Sequence, residues 1–240
     1  MGEQLLEKAR HALRLVDELV EDAERAKRGE IGNVRLGFTD LMAVDIVPLL
    51  AQVFHQDYPD VELDLMGSYT TFEEVELLLG GQLDAALIHG RVNQPRLAMR
   101  ILRQDRMYAV FGEKHPLAAK HEIEIGDLAD QPFILYPENT GSAIRPAVIA
   151  MCAAAGFAPR VVREVPESMT IVALAASGVG VALLPEPLTR FQPTGTAFRP
   201  LRGQRHHLAA TLAWRRGDMS PTVQKLLESV ERLGPDLALG

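Results

Sequence analysis

The stretch that decides the fold is Gly32-Asn33-Val34-Arg35-Leu36-Gly37-Phe38-Thr39, in which a short apolar strand runs into a polar turn. A strand that leads directly into a helix is the opening unit of an α/β fold. The apolar spacing that follows predicts a helix, a strand, a second helix and a buried strand, at residues 42–58, 61–66, 71–80 and 85–88. This β-α-β-α-β order predicts a parallel sheet with right-handed crossovers.

The same order recurs after a connecting strand at residues 106–112. Strands and helices are predicted to alternate at residues 133–136, 142–155, 160–165, 168–177 and 181–184, before a strand at 207–215 and a helix at 220–233. We therefore predict an α/β fold of two Rossmann-like, periplasmic-binding-protein-like subdomains joined by two crossover strands and preceded by a long helix. The predicted boundaries are residues 1–30 for the helix, 31–104 and 208–240 for subdomain I, and 105–207 for subdomain II. In such sheets ligands bind beyond the carboxyl ends of the strands, so a cleft between the units is the expected site.

The first 27 residues predict a helix with an apolar seam. Residues 2–27 contain no proline and no internal glycine, and Gly29 is placed to end the helix. Spacings of four and three relate the seam residues, which are Leu5, Ala9, Ala12, Val16, Leu19, Ala23 and Ala26. This is the a/d pattern of a coiled coil, so we expect the helix to pair with another chain. A helix folded back onto its own domain gives the same pattern and stays open as an alternative.

The composition argues against several classes of protein. The net charge is −7, so the chain as given does not have the basic character of a nucleic-acid-binding protein. The single cysteine, Cys152, excludes an internal disulfide framework and fits a reducing compartment. The N-terminus is charged where a signal peptide requires an apolar run, and no stretch approaches the roughly 20 apolar residues that span a bilayer. We expect a cytoplasmic protein with no membrane partner.

Several short motifs follow one another in a fixed order. The opening strand is followed by Pro48-Leu49-Leu50 with Phe54 and Tyr58-Pro59, by Leu78-Leu79-Gly80-Gly81-Gln82-Leu83-Asp84-Ala85-Ala86, by His115-Pro116-Leu117-Ala118, and by Ala176-Ser177-Gly178-Val179-Gly180-Val181-Ala182-Leu183-Leu184-Pro185. Together these motifs resemble the effector-binding half of LysR-type transcriptional regulators. The resemblance covers nearly the whole chain, and residues 2–10 are similar to the segment that begins the linker helix in that family.

The resemblance implies the sensor and oligomerisation module of a transcription factor. A small-molecule effector in the cleft would change the geometry of a homodimer or homotetramer. In the family a helix-turn-helix domain precedes the linker helix, so we expect a truncated chain or a lone sensor fragment that reaches DNA only through that domain. Leu135-Tyr136-Pro137 and residues 163–167 look like the branch that senses benzoate and muconate. This narrower likeness suggests an aromatic or carboxylate effector.

By resemblance, both subdomains contribute to the effector site. The implied residues are Thr39, Asp40, Leu41, Met42, Thr71, His89, Ser142, Ala143, Ile144, Val165, Pro166 and Glu167. The backbone amides of the 39–42 turn are expected at a helix N-terminus, which is a natural seat for a carboxylate.

Structural roles compete with binding at several of these positions. Asp40 fits an N-cap, and its charge would repel an anion. Leu41 stands where many relatives carry a serine, so a hydroxyl donor is absent. Thr71 fits the N-cap of a capping box with Glu74. His89 fits a structural role at a strand end; as a ligand contact, it would pair with a carboxylate and make binding depend on pH.

Two other functions share the expected architecture. The first alternative is a solute-binding protein of the periplasmic two-lobe type, and the second is an enzyme that uses the same cleft, as deaminases of the porphyrin pathway do. We find no nucleophile motif, metal-ligand cluster or dinucleotide fingerprint in the sequence. The sequence therefore predicts a regulator with no catalytic residue, no metal and no cofactor.

Overall fold

The computed structural model describes residues 2–67, 69–138, 141–203, 207–218 and 220–237, without the side chains of residues 2–6, Ala9 and residues 235–237. The main elements, in chain order, are α1 (Gly2–Lys27), β1 (Gly32–Phe38), α2 (Ile46–Asp57), β2 (Val61–Gly67), α3 (Thr71–Leu79), β3 (Ala85–His89), β4 (Leu97–Gly112), β5 (Pro132–Leu135), α4 (Ile144–Ala154), β6 (Arg160–Glu164), α5 (Ser168–Ala176), β7 (Ala182–Pro185), β8 (Thr196–Pro200), β9 (His207–Arg215) and α6 (Pro221–Leu237). This order confirms the predicted α/β fold class. Strand β8 and the first half of β4 were not predicted from the sequence.

The strands form one hydrogen-bonded path that runs through both halves of the molecule. Its order is β2-β1-β3-β9-β4-β7, with β8 also paired to β4. Strands β1, β2 and β3 are parallel, whereas β9 is antiparallel to β3 and to β4. Strands β5 and β6 form a separate parallel pair. We call the part built on β1, β2, β3 and β9 the first unit and the part built on β5 to β8 the second unit.

Strand β4 belongs to both units. Its residues 97–106 pair with β9, and its residues 107–112 pair with β7 and β8. Apolar side chains cover both faces of the first unit's sheet, and a separate apolar cluster fills the second unit. The predicted subdomain boundary at residues 104 and 105 falls inside β4, and the boundaries stay a prediction.

One motif of the sequence has a clear structural cause. The carboxylate of Asp84 accepts hydrogen bonds from the backbone amide of Arg35 at 2.9 Å and from its guanidinium at 2.8 and 3.0 Å. Arg215 of β9 donates to the same carboxylate at 3.3 Å. Leu83 beside it is fully buried, and Gly81 adopts a positive φ of 74° in the turn that leads there. The motif therefore locks β1, β3 and β9 in register.

The predicted helix at residues 42–58 is broken. A 3₁₀ turn at Met42–Val44 precedes α2, and the two are separated by Asp45, whose φ is −142°. The Asp45 carboxylate accepts a hydrogen bond from the amide of Ile46 at 2.7 Å, as an N-cap does. Arg103 of β4 donates to the same carboxylate at 2.7 Å. A contact with a distant strand therefore fixes where α2 begins, which local spacing could not show.

Helix α1 has the predicted bounds and lies apart from the rest of the chain. The seam side chains that the structure describes are exposed, including Val16 at 54% and Leu19 at 69%. Leu5 and Ala9 of the seam lie outside the described side chains. Near its end, Arg25 pairs with Asp60 at 2.8 Å, and Gly29 follows with a φ of 65°. The alternative of a helix folded back on its own domain is wrong, so the seam is available to another chain.

The capping box of α3 is displaced by one residue from the predicted one. Thr70, rather than Thr71, is the N-cap, and it exchanges hydrogen bonds with Glu73 rather than Glu74. Glu74 is fully buried instead, and neither carboxyl oxygen has a hydrogen-bond partner among the described residues. Burial, followed by the charge of Glu73, raises the pKa of this carboxyl well above its usual range.

We expect Glu74→Gln to gain stability relative to the native chain as the pH rises. The unfolded chain releases the Glu74 proton near its usual pKa of about 4.3, whereas the folded protein keeps it. The stabilisation from this proton is complete below the unfolded pKa and is lost as the pH rises through the folded pKa. The stability difference should grow by up to about 1.4 kcal/mol per pH unit in that window, as measured by chemical denaturation.

Glu76→Gln is the matched control, because Glu76 is exposed on the same helix. A difference between Glu74→Gln and the native chain that does not change from pH 4 to 9 would contradict the assignment of a buried, protonated carboxyl group.

Candidate functional site

A cavity of about 450 Å³ lies between the two units. The first unit contributes the turn after β1, the start of α3 and the end of β3. The second unit contributes the end of β5 and the residues that lead into α4 and α5. Among the predicted site residues, those that line the cavity are Thr39, Asp40, Leu41, Thr71, His89, Ser142, Ala143, Ile144, Pro166 and Glu167. Segments far apart in sequence therefore meet at one crevice, as the fold prediction requires.

Two predicted site residues do not line the cavity. Met42 is 1% exposed and packs in the core of the first unit, because the 3₁₀ turn directs it inward. Val165 packs against the core of the second unit, and its amide donates to the carbonyl of Leu135 at 2.9 Å. Neither residue lines the cavity in this structure, and a part for either in ligand binding stays a prediction.

Four further residues line the cavity and were not predicted from the sequence, namely Tyr69, Thr70, Tyr136 and Met169. Tyr136 directly follows β5, so the rule that ligands meet strand ends applies to it as it does to His89. Tyr69 and Thr70 precede Thr71, and Met169 is the second residue of α5. Because these residues lie close to predicted site residues in the sequence, that proximity could have indicated that they line the cavity.

The floor of the cavity is a small hydrogen-bonded group around His89. Its Nδ1 atom lies 3.2 Å from Oγ1 of Thr39, and the Thr71 hydroxyl donates to its backbone carbonyl at 3.5 Å. Burial, and then the positive charge of Arg103, lower the pKa of His89 to about 3. The neutral imidazole is therefore favoured near pH 7 in the empty cleft, and a cationic, pH-dependent contact with a ligand carboxylate stays a prediction.

The turn at residues 39–42 offers fewer amides than expected. The amide of Thr39 donates to the carbonyl of Leu87 at 3.3 Å, and the amide of Met42 donates to the carbonyl of Thr39 at 3.0 Å. These two N–H groups are already bonded within the protein. A ligand carboxylate in this turn is therefore left with the amides of Asp40 and Leu41.

Asp40 does not cap the helix that follows it. Its Oδ2 atom accepts hydrogen bonds across the cleft from Ser168 at the start of α5, at 3.2 Å from the amide and 2.5 Å from the hydroxyl. The hydroxyl of Tyr136 lies 2.5 Å from the same Ser168 hydroxyl oxygen. Asp40 was predicted to cap the helix that follows it, and that prediction is wrong. Its carboxylate instead caps α5, which belongs to the opposite unit.

The charges in the lining are negative. Asp40 and Glu167 carry carboxylates, and no lysine or arginine lines the cavity within the described residues. Apart from the imidazole of His89, the remaining described lining combines hydroxyl groups with apolar side chains, such as those of Leu41, Ile144 and Met169. Such a surface can enclose an apolar body and bond hydroxyl or carbonyl groups at its edges. The described residues contain no group of three or more potential metal ligands.

Comparison with known proteins assigns the chain to a family. A family model described as the LysR substrate binding domain matches residues 27–234. The chain belongs to the LysR family. The matched range begins where α1 ends and covers the two α/β units and the cleft between them.

Curated relatives of this LysR chain are transcriptional regulators. ShiR of Corynebacterium glutamicum is 33% identical over 197 residues, which cover 82% of this chain and 67% of ShiR. IlvR of Caulobacter vibrioides is 30% identical over 237 residues, which cover 98% of this chain and 79% of IlvR. CatR of Pseudomonas putida is 30% identical over 207 residues, which cover 86% of this chain and 71% of CatR. These relatives favour a regulator over the enzyme and the solute-binding protein.

Solved structures of LysR regulators share the fold. CbnR aligns with a TM-score of 0.79 at 22% identity over 95% of this chain and 79% of its own. The effector-binding domain of BenM with benzoate aligns with a TM-score of 0.78 at 21% identity, over 85% of this chain and 93% of the BenM domain. The effector-binding domain of QuiR with shikimate aligns with a TM-score of 0.78 at 23% identity, over 86% of this chain and 98% of the QuiR domain. In the described part of this chain, no helix has the length and apolar character needed to cross a membrane.

We expect the ring of His89 to stay neutral from pH 5 to pH 8. Its pKa of about 3 lies far below the usual value of about 6.5 because protonation would place a charge in a buried site near Arg103. An NMR titration, with the ring signals assigned by comparison with His89→Asn, measures this directly. A titration midpoint between 6 and 7 would contradict the proposed environment of the cavity floor.

Proposed function

We propose that the cleft binds the small-molecule effector of this LysR regulator through residues of both units. The observation that carries the proposal is that one cavity is lined by residues 39–41, Thr71 and His89 of one unit and by residues 142–144 and 166–167 of the other. A ligand there touches both units at once. Its binding free energy can therefore depend on their relative position, which is the requirement for a sensor.

The effector that we propose is an aromatic or carboxylate metabolite. The effector-binding domains solved with benzoate and with shikimate support this class, because both ligands are small cyclic carboxylates. A cavity of about 450 Å³ has room for such a molecule. The apolar side chains of Leu41 and Ile144 would contact its ring, and the amides of Asp40 and Leu41 would bind its carboxylate. The hydroxyls of Thr71 and Ser142 would bond its hydroxyl groups. A benzoate- or muconate-sensing branch is the narrower form of this proposal.

The mechanism that we propose is a population shift. The two units have more than one relative arrangement, and the effector binds one arrangement better. The change passes to a second subunit through α1, whose exposed seam supplies an apolar surface for a homodimer or homotetramer. DNA binding would reside in an N-terminal helix-turn-helix domain of the full-length regulator, in the cytoplasm.

We expect at least one of benzoate, cis,cis-muconate and shikimate to bind in calorimetry, and Ala143→Trp to abolish that binding. Ala143 faces Gly90 across the cleft: a Cβ atom built on Gly90 would lie 3.5 Å from that of Ala143. An indole at this position fills the space between the units. The loss should exceed about a hundredfold, since overpacking and loss of the cavity act together.

Ala153→Trp is the control, because Ala153 is exposed near the end of α4, the helix that Ala143 precedes, and lies away from the lining residues in the sequence. Equal loss in both variants, or silence of the native chain across the three acids and their amide analogues, would count against an effector site in the cleft.

We expect Leu19→Asp to weaken self-association. A charge at this seam position must be buried in a helix pair, so the dissociation constant should rise at least about tenfold. Light scattering after size exclusion, over a range of concentrations, measures the change. Arg14→Asp is the control: it introduces an aspartate on the same helix but off the seam, and it should leave the molar mass of the oligomer unchanged. An unchanged molar mass for Leu19→Asp would show that α1 does not hold the oligomer together.

A further inference from the structure

The N-terminus of α5 lacks a cap from its own unit. Its N-cap residue is Glu167, whose side chain makes no capping hydrogen bond. The first amide of the helix belongs to Ser168, which is 2% exposed. A buried amide at a helix N-terminus requires an acceptor. That acceptor is the carboxylate of Asp40, which comes from the other unit and lies 128 positions away in the sequence.

The contact is a chain of three hydrogen-bonding groups across the cleft. The Tyr136 hydroxyl can donate to the Ser168 oxygen at 2.5 Å, and the Ser168 hydroxyl donates to Oδ2 of Asp40. The Ser168 amide donates to the same Oδ2 atom at 3.2 Å. Burial, followed by the charge of Asp40, raises the pKa of Tyr136, which keeps its phenol protonated and able to donate. Asp40 and Tyr136 both line the cavity, so the chain borders the space where an effector would bind.

This contact places the negative charge of Asp40 at the positive end of the α5 helix dipole. A carboxylate at a helix N-terminus is favoured by the helix dipole, and a hydrogen bond to an ionised group is stronger than a neutral one. Other contacts across the cleft are of a different kind. Gly141 approaches Phe72, and Ala143 approaches Gly90, by van der Waals packing. A second polar link, from Arg190 to Asp45, is longer at 3.9 Å.

We propose that Asp40 is a clasp that holds the cleft of the effector-free protein closed. Its carboxylate occupies the N-terminus of α5 in the place of an external anion and so favours the arrangement in which the two units meet. The regulatory consequence rests on the proposed function: an effector in the cleft acts on an equilibrium that Asp40 biases toward closure. The clasp itself is a property of the empty protein and is tested without any effector.

The test measures the distance between the units by pulsed electron resonance of spin labels. Glu76→Cys on α3 and Ala173→Cys on α5 place the labels at exposed positions on opposite sides of the cleft. Cys152 stays in place, because it is buried and burial raises the pKa of its thiol to about 11. Labelled chains are diluted with unlabelled chains so that distances between subunits do not contribute.

We expect one narrow distance distribution for the effector-free protein and an added, longer population for Asp40→Ala. Loss of a charge-assisted cap should shift the ratio of closed to open molecules by about tenfold or more. Asp40→Asn keeps an acceptor oxygen without the charge and should give an intermediate shift. Glu62→Ala removes an exposed carboxylate of the same unit and should change nothing.

A second measurement guards against a variant that folds poorly. Amide hydrogen exchange at Ser168 should speed up in Asp40→Ala by about tenfold or more, while the amide of Val172 in the same helix keeps its protection. A distance distribution for Asp40→Ala that superimposes on that of the native chain, with Ser168 equally protected, would overturn the proposal. That outcome would leave the proposal of effector binding in the cleft untouched. Conversely, if Asp40→Ala opens the cleft but the native protein binds no effector, only the proposed function is contradicted.

Discussion

The architecture depends on a buried ionic contact at the strand that the two units share. Arg103 lies on β4 immediately after a bulge and donates to Asp45 at 2.7 Å and to Asp105. The three side chains are 10%, 2% and 2% exposed, so each charge depends on the others for compensation. Asp45 also begins α2, and Arg190 of the second unit lies 3.9 Å from it. The contact therefore ties the crossing strand, the helix after the cavity turn and the second unit together.

The position of the cavity follows from that arrangement. Because Asp45 is held by Arg103, the turn at residues 39–42 is fixed beyond the end of β1 and beside His89 at the end of β3. The same arginine helps to keep His89 neutral. On the opposite side, α5 presents its first amide to Asp40. The cleft thus has a histidine with a lowered pKa at its floor and, at its edge, a carboxylate that joins the two units. This arrangement suits the proposed ligand-dependent switch.

Local sequence patterns predicted the elements that local forces determine. The bounds of α1, the alternation of strands and helices, and the meeting of residues 39–41 with 142–144 all followed from periodicity, glycine placement and the motifs of the family. The failures concern contacts between distant residues. The break at Asp45 depends on Arg103, and the cap at Ser168 depends on Asp40. The capping box was misplaced because Thr70 and Thr71 are equally good caps by local chemistry.

The central claim is that one small molecule touches both units in the cleft. A crystal structure of the chain with the acid that binds most tightly in calorimetry tests this claim most directly. The account predicts ligand density between the 39–41 turn and residues 142–144, with the Asp40 contact to Ser168 lengthened or broken. Density at another surface, with the cleft empty and that contact unchanged, would contradict it.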